Sequence, residues 1–581
     1  MLGLPLLGGL RTRLLGHALS EHTSHLWVQW LLGRAASGEG PWLGQTGILS
    51  HEQLWLMPND PLNRTLTAVL QPLLGLIGAT NAVVLFQLGL AAVATSALAR
   101  EVGARTGPAT LAGLFVLLHP SLLGFAADGR MDSLGVGWTA LLAVFWLRGL
   151  RNPSWTRGLA LGACGIAVVL MGPNHVIATA LALSLPSLWW LVRRPRVART
   201  LAPAAVLAGA VAAALLAVFL HIEAQGSSRL SEQVTTMEAE LPSVWAETTW
   251  ASVTGQRQAD IWVGTRKMHQ AARVQSLWQL EPAVSNQSSL VGPLREEFVL
   301  QTYSPGGWTW PGVVPWVVAV LGLVVHRRRA LPWWLAGVAL WLTSFGWGSA
   351  QSLPIEVGGR LFYFAPAALL SRLPGLAAFN NYGLFGPLSA VCIAVVGALG
   401  LSRRGTGAPV MAGLALLWLV EVQHSPTPVP LPVTDIDVSP GLIDRLRALP
   451  ENASVMVFPI NRGTNSLLQI WHEHPTPQRF WSVPNTNPAS SAHPMLADPD
   501  GIQSKFVFQV LGRVRRGAPT GAEDLTKDGI GAVLFLSGLL PQAQDERIPT
   551  RLSQQLKAPP TWTGAEGDLW VLDAPTHTTG N

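Results

Sequence analysis

Charge is scarce in this chain of 581 residues: 12% are Asp, Glu, Lys or Arg, against ~25% in a typical soluble domain. That scarcity excludes a soluble multidomain enzyme. Cysteine is scarcer still, with two in all, and Cys164 and Cys392 both fall inside apolar runs. Neither a disulfide framework nor a thiolate metal site is available, so any catalysis rests on carboxylates and histidines. No Walker loop, dinucleotide fingerprint or catalytic-serine elbow occurs. Tyrosine appears three times but tryptophan 25 times. The tryptophans gather near the ends of apolar runs (Trp138, Trp146, Trp189, Trp190, Trp333, Trp334), where amphipathic rings favour the headgroup level.

Long apolar runs are what the chain does have. They recur at lengths approaching the ~17–25 residues that cross a bilayer. Spans are expected near residues 80–99, 107–125, 133–150, 156–172, 175–192, 200–221, 311–326, 331–348, 384–401 and 407–421. The fold class is therefore an all-α polytopic membrane domain of about ten spans, followed by a small α/β domain. The net charge of +6 sits in short connections: Arg148 and Arg151, Arg193 to Arg199, Arg327 to Arg329, Arg403 and Arg404. The positive-inside rule makes those loops cytoplasmic. Membrane lipids, and no nucleic acid, are the partners this implies. The alternation leaves the 222–308 and 349–382 segments and everything after 421 on the outer side.

The chain divides into three parts: an outer N-terminal segment with interfacial helices over 1–79, a transmembrane domain over 80–421 with a large outer loop at 222–308, and an extracytoplasmic α/β domain over 422–581. The apolar stretch 61–78 reads as a helix lying at the interface, with an eleventh span as its rival. Met1 to Leu10 is too short to export the N-terminal segment, so the true start is expected upstream. In the last part, helices are expected over 441–449 and 548–556, and strands at 454–458, 532–536 and 569–572.

Candidate chemistry begins at Glu21-His22-Thr-Ser-His25-Leu-Trp27, followed by Asp60-Pro-Leu-Asn63, His119-Pro120 and Asp128-Gly-Arg130-Met-Asp132. Leu373-Pro374, Glu421 and Val455-Met-Val-Phe-Pro459 continue the series. Together these resemble a large family of bacterial polytopic proteins with the GT-C glycosyltransferase architecture. The resemblance covers nearly the whole chain through short, degenerate motifs. It implies an inner-membrane enzyme that moves a sugar from a lipid-linked donor, a polyprenyl phosphate, to an envelope acceptor, with a divalent cation (Mg or Mn) as its cofactor. Carried over by residue, Glu21 and Asp132 are the catalytic acids, and His25, Asp60, Asp128, Arg130 and Arg360 bind substrate. The chain departs from the pattern where Glu21 replaces an aspartate, where Asn380-Asn381 replaces an arginine, and where a first span before Glu21 is missing.

The chemistry explains why such a site needs a carboxylate. A hydroxyl is a weak nucleophile, so a base or metal must activate it as the sugar carbon loses its phosphate. Each candidate also has a plainer reading: Glu21 as a helix cap, Asp128 and Asp132 as solvated loop acids, Arg360 as a snorkelling interface arginine. His472-Glu473-His474 lacks the spacing of a zinc-protease helix. A non-catalytic protein that binds or organises envelope glycans is the second hypothesis. A transporter is the third, disfavoured by nearly charge-free spans.

Overall fold

The computed structural model describes residues 9–16, 22–37, 60–193 except 153, 312–344, 384–403 and 407–423, with shorter stretches between 355 and 362 and between 431 and 572. A short strand β1 (Arg13–Leu15) and helix α1 (His22–Ser37) precede the bundle. The bundle comprises α2 (Pro61–Val102), α3 (Thr106–Leu117), α4 (Pro120–Asp128), a 3-10 turn at Met131–Leu134, α5 (Val136–Arg151), α6 (Trp155–Leu170), α7 (Pro173–Arg193), α8 (Val313–Val325), α9 (Arg327–Thr343), α10 (Phe385–Leu401) and α11 (Ala408–Gln423). A two-stranded hairpin, β2 (Ile355–Val357) with β3 (Arg360–Phe362), lies between α9 and α10 in sequence.

Helix α2 is not straight. Pro61 opens it at a position where the missing N–H costs nothing. At Gly75 the backbone takes φ 72° and ψ 170°, a region essentially reserved for glycine. Beyond it the chain doubles back, because Gln87 Nε2 donates to Asn63 Oδ1 at 2.7 Å. On one continuous helix those two residues would stand about 36 Å apart. The element is a helical hairpin whose first limb covers 61–74 and whose second covers 76–102.

Helix α10 is the centre of the bundle, with every residue from Phe385 to Leu401 buried. A helix apolar on all sides is shielded from water either by protein or by lipid, and here protein does it. It packs against α8 and α9. A Cβ placed on Gly400 would come within 2.6 Å of the Gly322 amide nitrogen, so two glycines bring these backbones into contact. Ser389 Oγ donates to Gly337 O at 2.7 Å, tying α10 to α9.

One end of the bundle collects arginine. Glu101 pairs with Arg148 Nε at 2.7 Å and with Arg151 Nη1 at 2.9 Å. Arg329 lies beside Gly103, and the Arg105 amide donates to Ser402 Oγ at 2.9 Å. At the other end Glu421 accepts from the Val313 and Val314 amides and so caps α8. Asn81, about 30 Å of helix from Glu101, clamps the N-terminal segment: its Oδ1 accepts from Leu15 N at 2.9 Å and its Nδ2 donates to Arg13 O at 2.7 Å. Strand β1 then pairs antiparallel with β4 (Val433–Asp435), which comes after α11. Segments on either side of the helices in sequence therefore meet at the arginine-poor end.

Among the described residues, two helical stretches, Pro61–Val102 and Met131–Arg151, are long and apolar enough to cross a membrane. A third qualifies if α3 and α4, bent by 44°, count as one span. This is coarser than the ten spans expected. Most of the apolar runs are shorter as helices than as sequence: α3, of 12 residues, is about 18 Å long and α5 and α6, of 16 each, about 24 Å, against a hydrocarbon core of ~30 Å. The expected span 107–125 breaks at His119-Pro120, and proline or glycine also punctuates the chain at Gly129 and at Gly172-Pro173. The run 200–221 and the loop 222–308 lie outside the described residues. The boundary expected at residue 79 falls inside α2.

After β4 come α12 (Pro440–Arg447), β5 (Ser454–Phe458), β6 (Ile530–Leu536), α13 (Arg547–Leu556), β7 (Trp562–Gly564) and β8 (Gly567–Val571). The sheet order is β5-β6-β8-β7, with β5 and β6 parallel and the remaining pairs antiparallel. Leu442 and Leu446 of α12 pack with Val455, Val457, Leu534 and Leu569 of the sheet.

Because only glycine adopts the Gly75 conformation without strain, Gly75→Val is expected to destabilise the full chain by about 1–3 kcal/mol. Denaturant unfolding of the detergent-solubilised protein checks this, and unchanged stability would contradict the hairpin.

Candidate functional site

Where α2 begins, the sequence Asp60-Pro-Leu-Asn63-Arg64 places polar side chains one helical turn apart inside a packed interior. Asp60, Asn63 and Arg64 are all buried, as are His22 and His25 of α1. Asp60 makes no cap bond with its side chain. Its carboxylate instead lies 3.5 Å from Arg64 Nε and 3.7 Å from His25 Nδ1. Asn63 Nδ2 donates to Met131 O at 2.9 Å, tying the cluster to the 3-10 turn that carries Asp132. His22 Nε2 is hydrogen-bonded to Ala126 O at 2.7 Å, so α1 also touches the end of α4.

The network continues inward. Gln87, fully buried in the second limb of α2, bonds Asn63 and approaches Met171 Sδ at 4.0 Å. Met171 and His175 both pack against Gly135. Buried polar groups from α1, both limbs of α2, the 3-10 turn and the α6–α7 corner thus converge at one level. That is the level where α3 and α6 stop and α5 begins, away from the arginines.

Burial governs the electrostatics. It pushes the Asp60 carboxyl up from 3.8 to about 7, against the pull of Arg64 and with some help from the charge of Asp132. Burial likewise holds His25 well below the ordinary imidazole value, with Arg64 and His22 adding to the effect. A neutral imidazole beside a carboxyl that titrates near neutrality is a pair able to exchange protons.

The residues singled out in the sequence fare unequally. His25 and Asp60 come together, and the charge of Asp132, half-buried, reaches Asp60. Arg130 is half-buried in the turn before Asp132. Asp128 closes α4, and the left-handed Gly129 separates it from the 3-10 turn, so the one helical face expected for Asp128 and Asp132 is interrupted. The backbone of Arg360 is in β3, paired with Val357. Glu21, Asn380, Asn381, His472 and Glu473 lie outside the described residues, while His474 is buried.

Arg64, Gln87 and His175 join the cluster without having been assigned to it from sequence. Arg64 and Gln87 carry a signal, being polar residues within otherwise apolar helical runs. Among the described residues no group of three or more His, Cys, Asp or Glu gathers to hold a metal ion. Asp60, the most buried acid among the described residues, already faces a guanidinium, so the described side chains do not fit a divalent cation.

A carboxyl with a raised folded pKa holds an extra proton in the folded state, so stability falls as pH rises between the unfolded and folded values. Asp60 contributes fully below about 4 and loses that contribution as pH rises through about 7. The melting temperature of wild type minus that of Asp60→Asn, measured in detergent, should therefore decline across this window. A difference independent of pH would contradict the burial of this acid. Comparison of the chain with protein-family models and with curated proteins finds no match.

Proposed function

We propose that the chain is a membrane glycosyltransferase of GT-C-like architecture, moving a sugar from a polyprenyl-phosphate donor to an envelope acceptor. The observation that carries this reading is the buried cluster of His25, Asp60 and Arg64 beside Asp132, at the end of the bundle away from the arginines. In the reading, the arginine end is cytoplasmic, the cluster opens toward the extracytoplasmic side of the bacterial inner membrane, and about ten spans cross it.

The chemistry assigned is a displacement at the sugar carbon. The acceptor oxygen forms the new bond, the bond to the donor phosphate breaks, and the hydroxyl proton passes to a carboxylate. Glu21 and Asp132 are the catalytic acids in this proposal. Asp60, titrating near 7, is a third group suited to hold the proton. His25, Arg130 and Arg360 bind substrate, as does Asp128. A divalent cation enters only with Glu21 as a further ligand, and no step depends on it.

One observation favours the second reading, a non-catalytic protein that binds or organises envelope glycans. The Asp60 carboxylate already faces Arg64 and His25, as a structural acid would.

Transfer of labelled sugar from a polyprenyl-phosphate donor by the purified full chain separates the two. Glu21→Gln and Asp132→Asn should each lose about 10²-fold or more, within the range for loss of a general base, and His472→Ala should be near wild type. Full transfer by both acid variants, or none by wild type with any donor tried, overturns the enzyme reading in favour of the scaffold.

A further inference from the structure

We propose that the corner where the α2–α3 turn, the start of α9 and the end of α10 meet binds a lipid with two phosphates, diphosphatidylglycerol, from the leaflet at the arginine end. Three exposed arginines gather there: Arg105, Arg329 and Arg403. A Cβ placed on Gly103 would lie 2.9 Å from Arg329 Nη1, so the bare glycine backbone makes room for that guanidinium. The Arg105 amide donates to Ser402 Oγ at 2.9 Å, which brings the residue after Ser402, Arg403, to the same corner.

The positive charge of this corner has no counterpart in the fold. Among the described residues Glu101 is the acid at this end, and Arg148 and Arg151 hold it at 2.7 and 2.9 Å. Arg105, Arg329 and Arg403 make no ion pair with a described residue, and the connections 103–105 and 402–407 contain no Asp or Glu. Like charges gathered by the fold repel one another. Phosphate is the anion whose geometry a guanidinium matches with two hydrogen bonds at a time. One phosphodiester brings a single negative charge to three arginines. Two phosphodiesters joined through one glycerol bring two, and a single molecule then reaches arginines on separate elements. Basic pockets between helices at a cytoplasmic surface hold head groups of this kind.

The apolar groups place the tails. From the corner, α8 runs back toward the opposite end of the bundle, and Val324, Leu321, Val320, Val317 and Val313 are all exposed on it. Their spacing of three and four residues puts them on one face. From Val324 to Val313 is about 16 Å of helix, and one acyl chain covers half of the ~30 Å hydrocarbon core, about 15 Å. Tails on this face therefore enter the bilayer from the arginine end while the phosphates stay at its surface. The site stands away from the Asp60 cluster and does not depend on glycosyl transfer.

The test uses the full chain, freed of lipid in neutral detergent, with intact mass and melting temperature measured as diphosphatidylglycerol, phosphatidylglycerol or phosphatidylcholine is added. Diphosphatidylglycerol should raise the melting temperature and bind about tenfold more tightly than phosphatidylglycerol supplied at equal phosphate, and phosphatidylcholine should do neither. Arg105→Gln and Arg329→Gln should each weaken binding about tenfold, the effect of one lost charge-assisted hydrogen bond. Both side chains are exposed, so the lipid-free melting temperature should stay that of wild type. Lys557→Gln, which removes one charge from an exposed position in the C-terminal part, should bind as wild type does. Equal binding of diphosphatidylglycerol and phosphatidylglycerol, a loss in Lys557→Gln as large as in Arg329→Gln, binding retained when Arg105→Gln and Arg329→Gln are combined, or displacement of the lipid by equimolar inorganic pyrophosphate would each overturn the assignment.

Discussion

The hydrogen bond from Gln87 to Asn63 joins residues 24 positions apart on opposite sides of the Gly75 turn. Nothing else at this end of the bundle could be arranged as it is without the reversal that makes this bond possible. Folding at Gly75 carries Asp60, Asn63 and Arg64 down to the level of Gln87, where Met131 and the 3-10 turn meet them. It also sets the first limb beside α1, which creates the His25–Asp60 contact. The left-handed conformation of a single glycine thus decides where the buried charges reside.

The remaining helices obey a second constraint, the segregation of arginine. Glu101 draws Arg148 and Arg151 together, and Arg329 and Ser402 join the same end through Gly103 and Arg105. With these ends gathered, the ends of α3, α5 and α6 are left at a common level about 18–24 Å away. Backbone groups there lack helical partners and the chain turns at Pro120, Gly129 and Pro173, so buried polar side chains concentrate in this layer. Burying them is costly unless they find partners. Asp60 and Arg64 meet that requirement by facing one another.

Much of the helical architecture was legible because composition dictates it: a run such as 385–401, without one charged residue, has to be a helix shielded from water. In the C-terminal part the strand at 454–458 has the limits that Ser454 to Phe458 suggested, and the helices at 440–447 and 547–556 lie close to expectation. The number of spans was less legible, since apolar content does not reveal where proline and glycine will break a helix. The hairpin was hidden for the same reason. Gly75 sits between Leu74 and Leu76, and nothing in an apolar run distinguishes a tolerated glycine from one at positive φ. Of the site, His25 and Asp60 stood out by residue type, whereas the roles of Arg64 and Gln87 depend on contacts that only the fold creates.

The central claim is that α2 reverses at Gly75 and brings Asn63 against Gln87. A cross-linking measurement reaches it directly: cysteines at Asn63 and Gln87, with Cys164 and Cys392 replaced by serine, are treated in the membrane with a bifunctional thiol reagent spanning about 10 Å, longer than a disulfide reaches and far shorter than 24 residues of helix, and the digested chain is weighed. The account predicts an intramolecular cross-link between the two positions. Two separately modified thiols, as on one straight helix with the positions about 36 Å apart, would contradict it.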